Sequence, residues 1–187
     1  MRSLERWTFW SLEIPVALSL VWSTEAAWGR YEIPGTRFKF DLLGMQRITG
    51  LEGADTINDH CSWYSDHTEA SQCAVAPEGS VAFRRVQVAP FLAAISAAAL
   101  LVIVWATISR RPRNVIAIAS GVGAAAMVGA LRLLTGNVAT AMRVYAGHSV
   151  EMNGSGLTAA WLVVFAFIAM GALSLAGIVA QRRGAIL

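Results

Sequence analysis

The chain has 187 residues, of which 56% are hydrophobic and 14% charged, and its formal net charge is +3. Positive mean hydropathy with so few charges excludes an ordinary soluble domain and points to a small polytopic helical membrane protein. The sum of the charge matters less than its placement, because all but one of the fifteen basic residues are Arg and most flank apolar runs.

In chain order, a short basic start at 1–6 precedes a first predicted span at 8–28, apolar except for Glu13, Glu25 and Pro15. Arg2 and Arg6 ahead of an apolar run, with Thr24-Glu25-Ala26 as a small-residue cleavage site, leave a signal peptide as the alternative. A long polar segment at 29–87 follows. Further spans are expected at 88–109, 114–135 and 157–180, each of 22 to 24 residues, enough to cross about 30 Å of hydrocarbon at about 1.5 Å per residue. The turn at 110–113 carries Arg110, Arg111 and Arg113, and the tail at 181–187 carries Arg182 and Arg183. Every short basic flank then falls on one side, so both termini are expected to be cytoplasmic and segments 29–87 and 136–156 outside. The expected location is a plasma membrane or a bacterial inner membrane. Besides marking topology, the arginine turn is compatible with anionic lipid heads.

Charges inside the spans are informative, because an unpaired ion there costs several kcal/mol. Glu25 and Arg132 fall at nearly the same depth in two outward-running helices. They are expected either to form an ion pair near the outer end or to reach separately for the interface. Glu13 lies near the inner end, where the arginine turn would meet it. Gly121, Ala125 and Gly129 repeat at four-residue spacing, as do Ala172, Ala176 and Ala180. Small residues in register let helices approach closely, either within the bundle or against a partner helix. Neither span has the broken, polar-lined centre of a transporter site.

Within 29–87 the run Thr36-Arg37-Phe38-Lys39-Phe40-Asp41-Leu42 alternates apolar and polar residues, which predicts a half-buried strand with Phe38, Phe40 and Leu42 on one face. Tyr31 and Ile33, before Pro34-Gly35, read as its hairpin mate, and 81–88 as another strand entering the second span. A small antiparallel sheet seated on the bundle follows. Cys61 and Cys73 are separated by eleven residues, and in a non-reducing compartment they would form a disulfide. Between Glu52 and Glu78 there are six acids and no Lys or Arg, a lobe that is either simply solvated or attractive to cations and basic partners.

Trp28, Gly50-Leu51, Cys61, Cys73 and Arg85, in that order in a four-span chain, resemble the outer-loop signature of the claudin and peripheral myelin protein superfamily. The motif covers 28–85 and the topology the whole chain. The resemblance implies a left-handed four-helix bundle crowned by an extracytoplasmic antiparallel sheet, with a disulfide joining adjacent strands. Glu52 stands where the family's Gly-Leu-Trp triplet has Trp, and the cysteines lie somewhat farther apart than in that family.

Other chemistries fit less well. His60, His67 and Asp66, with the cysteines, are metal-ligand types, but their spacing matches no standard site and a disulfide would consume both thiols. A membrane thiol oxidoreductase needs a CxxC-like pair and a second pair to relay electrons, whereas this chain has one widely spaced pair. Asn153-Gly154-Ser155 is formally a glycosylation acceptor, and His148 reads as solvated. The sequence has no phosphate loop, nucleophile triad or nucleic-acid-binding stripe. It is therefore read as non-enzymatic, without a cofactor, with membrane lipid and other proteins as its partners. Those proteins are copies of itself, in adhesion or barrier assembly, or alternatively a larger channel, transporter or energy-converting complex that it serves as an accessory subunit.

Overall fold

The computed structural model describes residues 3–33, 36–49, 56–62, 81–141 and 152–184. Its elements are α1 (Ser3–Glu25), β1 (Gly29–Ile33), β2 (Thr36–Phe40), β3 (Gly44–Thr49), β4 (Thr56–Ser62), α2 (Val81–Val86), α3 (Ala89–Ile108), α4 (Arg113–Ala141) and α5 (Ser155–Gly184). The described chain is thus mostly helical, with a small antiparallel sheet between its first helix and the rest. Three stretches, Arg84–Ile108, Arg113–Val138 and Ser155–Arg183, are long and apolar enough to cross a membrane, which suggests membrane localisation. In α1 the apolar run is diluted by Glu13, Pro15 and Glu25, and that helix falls outside the three.

The four long helices close a ring. α1 packs against α5 and α3, and α4 packs against the same two from the other side. Leu20 of α1, Ile103 of α3, Met127 and Leu134 of α4, and Phe167 and Met170 of α5 are buried inside it. Much of the remaining core is alanine, so close approach replaces bulk. Gly123 is the clearest case, since a β-carbon there would lie 2.6 Å from Cζ of Phe167. Outward faces carry large apolar side chains such as Leu101, Ile118 and Phe165, as expected where the surroundings are hydrocarbon.

The elements differ from those read in the sequence at α1, which is Ser3–Glu25 and not 8–28, at α5, which is Ser155–Gly184 and not 157–180, and at two further places. α4 continues to Ala141 rather than stopping at 135, because its polar residues bond within the helix. Thr135, Asn137 and Thr140 donate to the carbonyls of Leu131, Leu133 and Gly136, and Val138 is buried. The segment expected as a strand at 81–88 is instead the short helix α2 followed by a turn. Pro90 explains the break: its ring excludes a helical bond to the carbonyl of Val86, the last residue of α2, yet is tolerated at the start of α3.

The sheet is an antiparallel meander in the order β1-β2-β3-β4. The hairpin read from the alternation is present, with Tyr31 opposite Phe38 and Ile33 opposite Thr36. Its alternation ends at Phe40, however. Asp41 does not join a solvent face but is buried in the turn to β3, where its Oδ1 accepts from the amides of Leu43 (2.8 Å) and Gly44 (2.7 Å). β3 and β4 supply the places that 81–88 was expected to share, with a register shift at Arg47/Ile48.

Candidate functional site

The sheet meets the bundle at Trp28. α1 ends at Glu25, and the chain turns at 26–28 before entering β1. Trp28 is fully buried, and its indole Nε1 donates to the carbonyl of Ser23 at 2.7 Å, tying the ring to the last turn of α1. Its amide donates to the carbonyl of Phe40 at 2.8 Å, and its own carbonyl accepts from Gly154 at 3.1 Å. Gly156 donates to the carbonyl of Ala27 at 2.9 Å. One residue therefore joins α1, the end of β2 and the start of α5. Phe40 and Leu42 are buried beside it in the same core.

The approach of α5 requires glycine. A β-carbon on Gly154 would collide with the backbone of Ala27, and one on Gly156 with the carbonyl of Ala26 and the Trp28 ring. In the sequence, Asn153-Gly154-Ser155 reads as a glycosylation acceptor and nothing more. The glycines' role depends on contacts some 126 residues away, although the Gly-x-Gly spacing at a helix entry was a usable signal.

The remaining motif residues divide. Arg85 is exposed in the last turn of α2. Cys61 and His60 lie on β4, opposite Met45 and Gln46 of β3. Gly50, Leu51, Cys73, His67 and Asp66 lie outside the described residues, so the expected disulfide and the weak metal candidates do too. Among the described residues no group of three His, Cys, Asp or Glu is gathered. Asp59, one of the six acids, is the register partner of Arg47 in the β3–β4 ladder.

Glu25 and Arg132 are not brought together. Both are exposed, and they sit on α1 and α4, which lie diagonally across the ring from each other. Glu13 instead is the carboxylate turned inward. It is buried at 3% exposure, and Thr107 Oγ1 donates to its Oε1 at 2.9 Å, so its partner is a threonine of α3 rather than the arginine turn. Its Oε2 has no partner, and among the described residues the same holds for the buried hydroxyls of Ser120 and Ser174.

Of the small-residue stripe, Gly129 packs inward, with a β-carbon there reaching 2.9 Å from Leu92 Cδ1. Gly121 and Ala125 are exposed, and nothing lies within 4 Å of a β-carbon at Gly121. Ala172, Ala176 and Ala180 of α5 are also exposed. The bundle's own close contact uses Gly123, where Ser96 Oγ also donates to the backbone carbonyl at 2.8 Å.

Comparison with protein-family models and with curated proteins finds no match for the chain.

Proposed function

We propose that this is a non-enzymatic, claudin-like integral membrane protein whose outer sheet is held out from the bundle to contact other proteins. The observation that carries this reading is the seat of the sheet on Trp28. A surface fixed through a buried indole, one ring hydrogen bond to α1 and two backbone hydrogen bonds from the entry of α5 is pre-organised, and pre-organisation lowers the ordering cost of binding. Trp28 is also the first residue of the claudin-type signature, and a buried keystone at the base of the sheet suits that resemblance. In this reading Cys61 and Cys73 form a disulfide, and the sheet lies on the extracytoplasmic face, opposite the arginine turn.

Self-association is the first form of this function. Photo-crosslinkers at the exposed positions Arg30 and Leu43, activated in native membranes, are expected to capture protein, and a dimer-sized product would assign the contact to a second copy. Adducts with lipid alone from both positions would refute the reading.

A second form, an accessory subunit of a larger membrane complex, is favoured by the outward-facing Gly121 and Ala125, which the bundle itself does not use. A crosslinker at Val122, exposed on the same helix, would then capture a larger partner.

A further inference from the structure

The end of the bundle opposite the sheet has chemistry that the protein-contact reading leaves unused. Between the α3–α4 turn and the end of α5 lies an open pocket of about 440 Å³ lined by Arg110, Arg111, Arg113, Arg182, Asn114 and Gln181 among others, and none of its lining residues is acidic. Four like charges around one small space repel one another, and such a cluster is a receptor for an anion.

Several features hold these arginines in place. Arg111 stacks over Trp105, with its guanidinium carbon 4.9 Å from the ring centroid. Arg113 lies across α5 at Gly177, where any β-carbon would collide with the guanidinium. Arg110 adopts φ 52°, the left-handed conformation that ends a helix and that glycine adopts most readily. The amide of Arg111 closes that helix end on the carbonyl of Ala106 at 2.9 Å. A topology signal alone asks only for positive charge near the span. It does not ask for arginine in a glycine position or for a glycine kept clear beneath another arginine.

Arg113 lines a second space as well. An apolar groove of about 310 Å³ runs between α1 and α5, lined by Phe9, Leu173, Ala176, Gly177 and Ala180 with Arg113 at its edge. A basic pocket at a helix end, joined through one arginine to an apolar groove beside the bundle, has the two-part chemistry of an amphiphile. We propose that the two spaces form one site for an anionic phospholipid, with the headgroup phosphate among Arg110, Arg113 and Arg182 and an acyl chain in the groove along Phe9, Leu173 and Ala176. The exposed Ala176 and Ala180 then have a use, since small side chains keep the groove open.

The test uses the full chain in a neutral mild detergent, titrated with short-chain phosphatidylglycerol, phosphatidylcholine of the same chain length, and inorganic phosphate, with bound lipid read by native mass spectrometry. Phosphatidylglycerol is expected to bind at least about tenfold tighter than the other two, a difference of the size that one charge-assisted contact gives. Arg182→Gln should weaken it about tenfold, whereas Arg183→Gln, equal in charge and adjacent but outside the pocket, should leave it within about twofold. Ala176→Leu should weaken binding by filling the groove. Arg110→Gly should raise thermal stability, by relieving the left-handed arginine, while weakening lipid binding. Equal losses in the Arg182 and Arg183 variants, or equal affinity for the two lipids, would overturn the proposal. Inorganic phosphate binding as tightly as phosphatidylglycerol, or an Ala176→Leu protein that binds normally, would overturn the lipid assignment.

Discussion

Thr107 Oγ1 donates a 2.9 Å hydrogen bond to Glu13 Oε1, tying α3 to α1 inside the bundle. The same hydroxyl lies 2.9 Å from the carbonyl of Ile103, so a single proton serves two acceptors. Thr107→Val keeps the shape, leaves both carboxylate oxygens unpartnered, and should cost about 1–2 kcal/mol. Adding Glu13→Leu should recover most of that loss, because an apolar pair of similar volume needs no partner. Unfolding of purified protein by titration with a denaturing detergent measures both. Independent, additive losses would mean that the two residues do not interact.

Trp28 is the hinge of the fold, and its two contributions separate. Trp28→Phe removes the indole bond to Ser23 but retains much of the packing, for a loss of about 1–2 kcal/mol. Trp28→Ala empties a fully buried site and should cost about 3–5 kcal/mol. Limited proteolysis should then cut the 29–87 segment in the alanine variant and spare it in the phenylalanine variant. Equal protection in both would show that the sheet is held by other contacts.

Two glycine substitutions should have opposite signs. Gly156→Ala forces a β-carbon into Ala26 and the Trp28 ring and should destabilise by about 2 kcal/mol or more. Gly121→Ala enters open space in the middle of α4 and should stabilise by about 0.5–1 kcal/mol. Thermal stability of the two variants side by side decides the matter, and a destabilising Gly121→Ala would mean that this face is already occupied.

The chain has two cysteines, and the proposed disulfide predicts that neither is alkylated before reduction and both are after it. Cys61→Ser and Cys73→Ser should each cost the same, about 2–4 kcal/mol, and the double variant no more than either single one. A thiol that reacts without reductant would remove the staple from the account.

Those parts of the fold fixed by local pattern were readable in the sequence. Long apolar runs identified α3, α4 and α5, and strict alternation before and after Pro34-Gly35 identified the β1–β2 hairpin. β3 and β4 went unread because Gly44–Thr49 and Thr56–Ser62 contain few apolar residues, and their pairing comes from neighbouring strands rather than from their own periodicity. α2 was hidden by the aromatic and β-branched Val81, Phe83 and Val86, until Pro90 is considered as a break in a helix rather than the edge of a strand. Depth along the chain made Glu25 and Arg132 look like partners. Depth gives no azimuth, and the order of helices around the ring sets them apart. The seat on Trp28 was half legible: the tryptophan stood out, but its partners at Phe40 and Gly154 required the fold.

If the sheet above Trp28 binds protein, this shows most directly in the native mass of the unreduced protein extracted in a mild detergent, with identification of any co-purifying chain. A homo-oligomer that dissociates in the Trp28→Ala variant is expected or, for the accessory form, a stoichiometric complex with a larger membrane protein. A monomer without partners, both in detergent and after reconstitution into lipid, would contradict it.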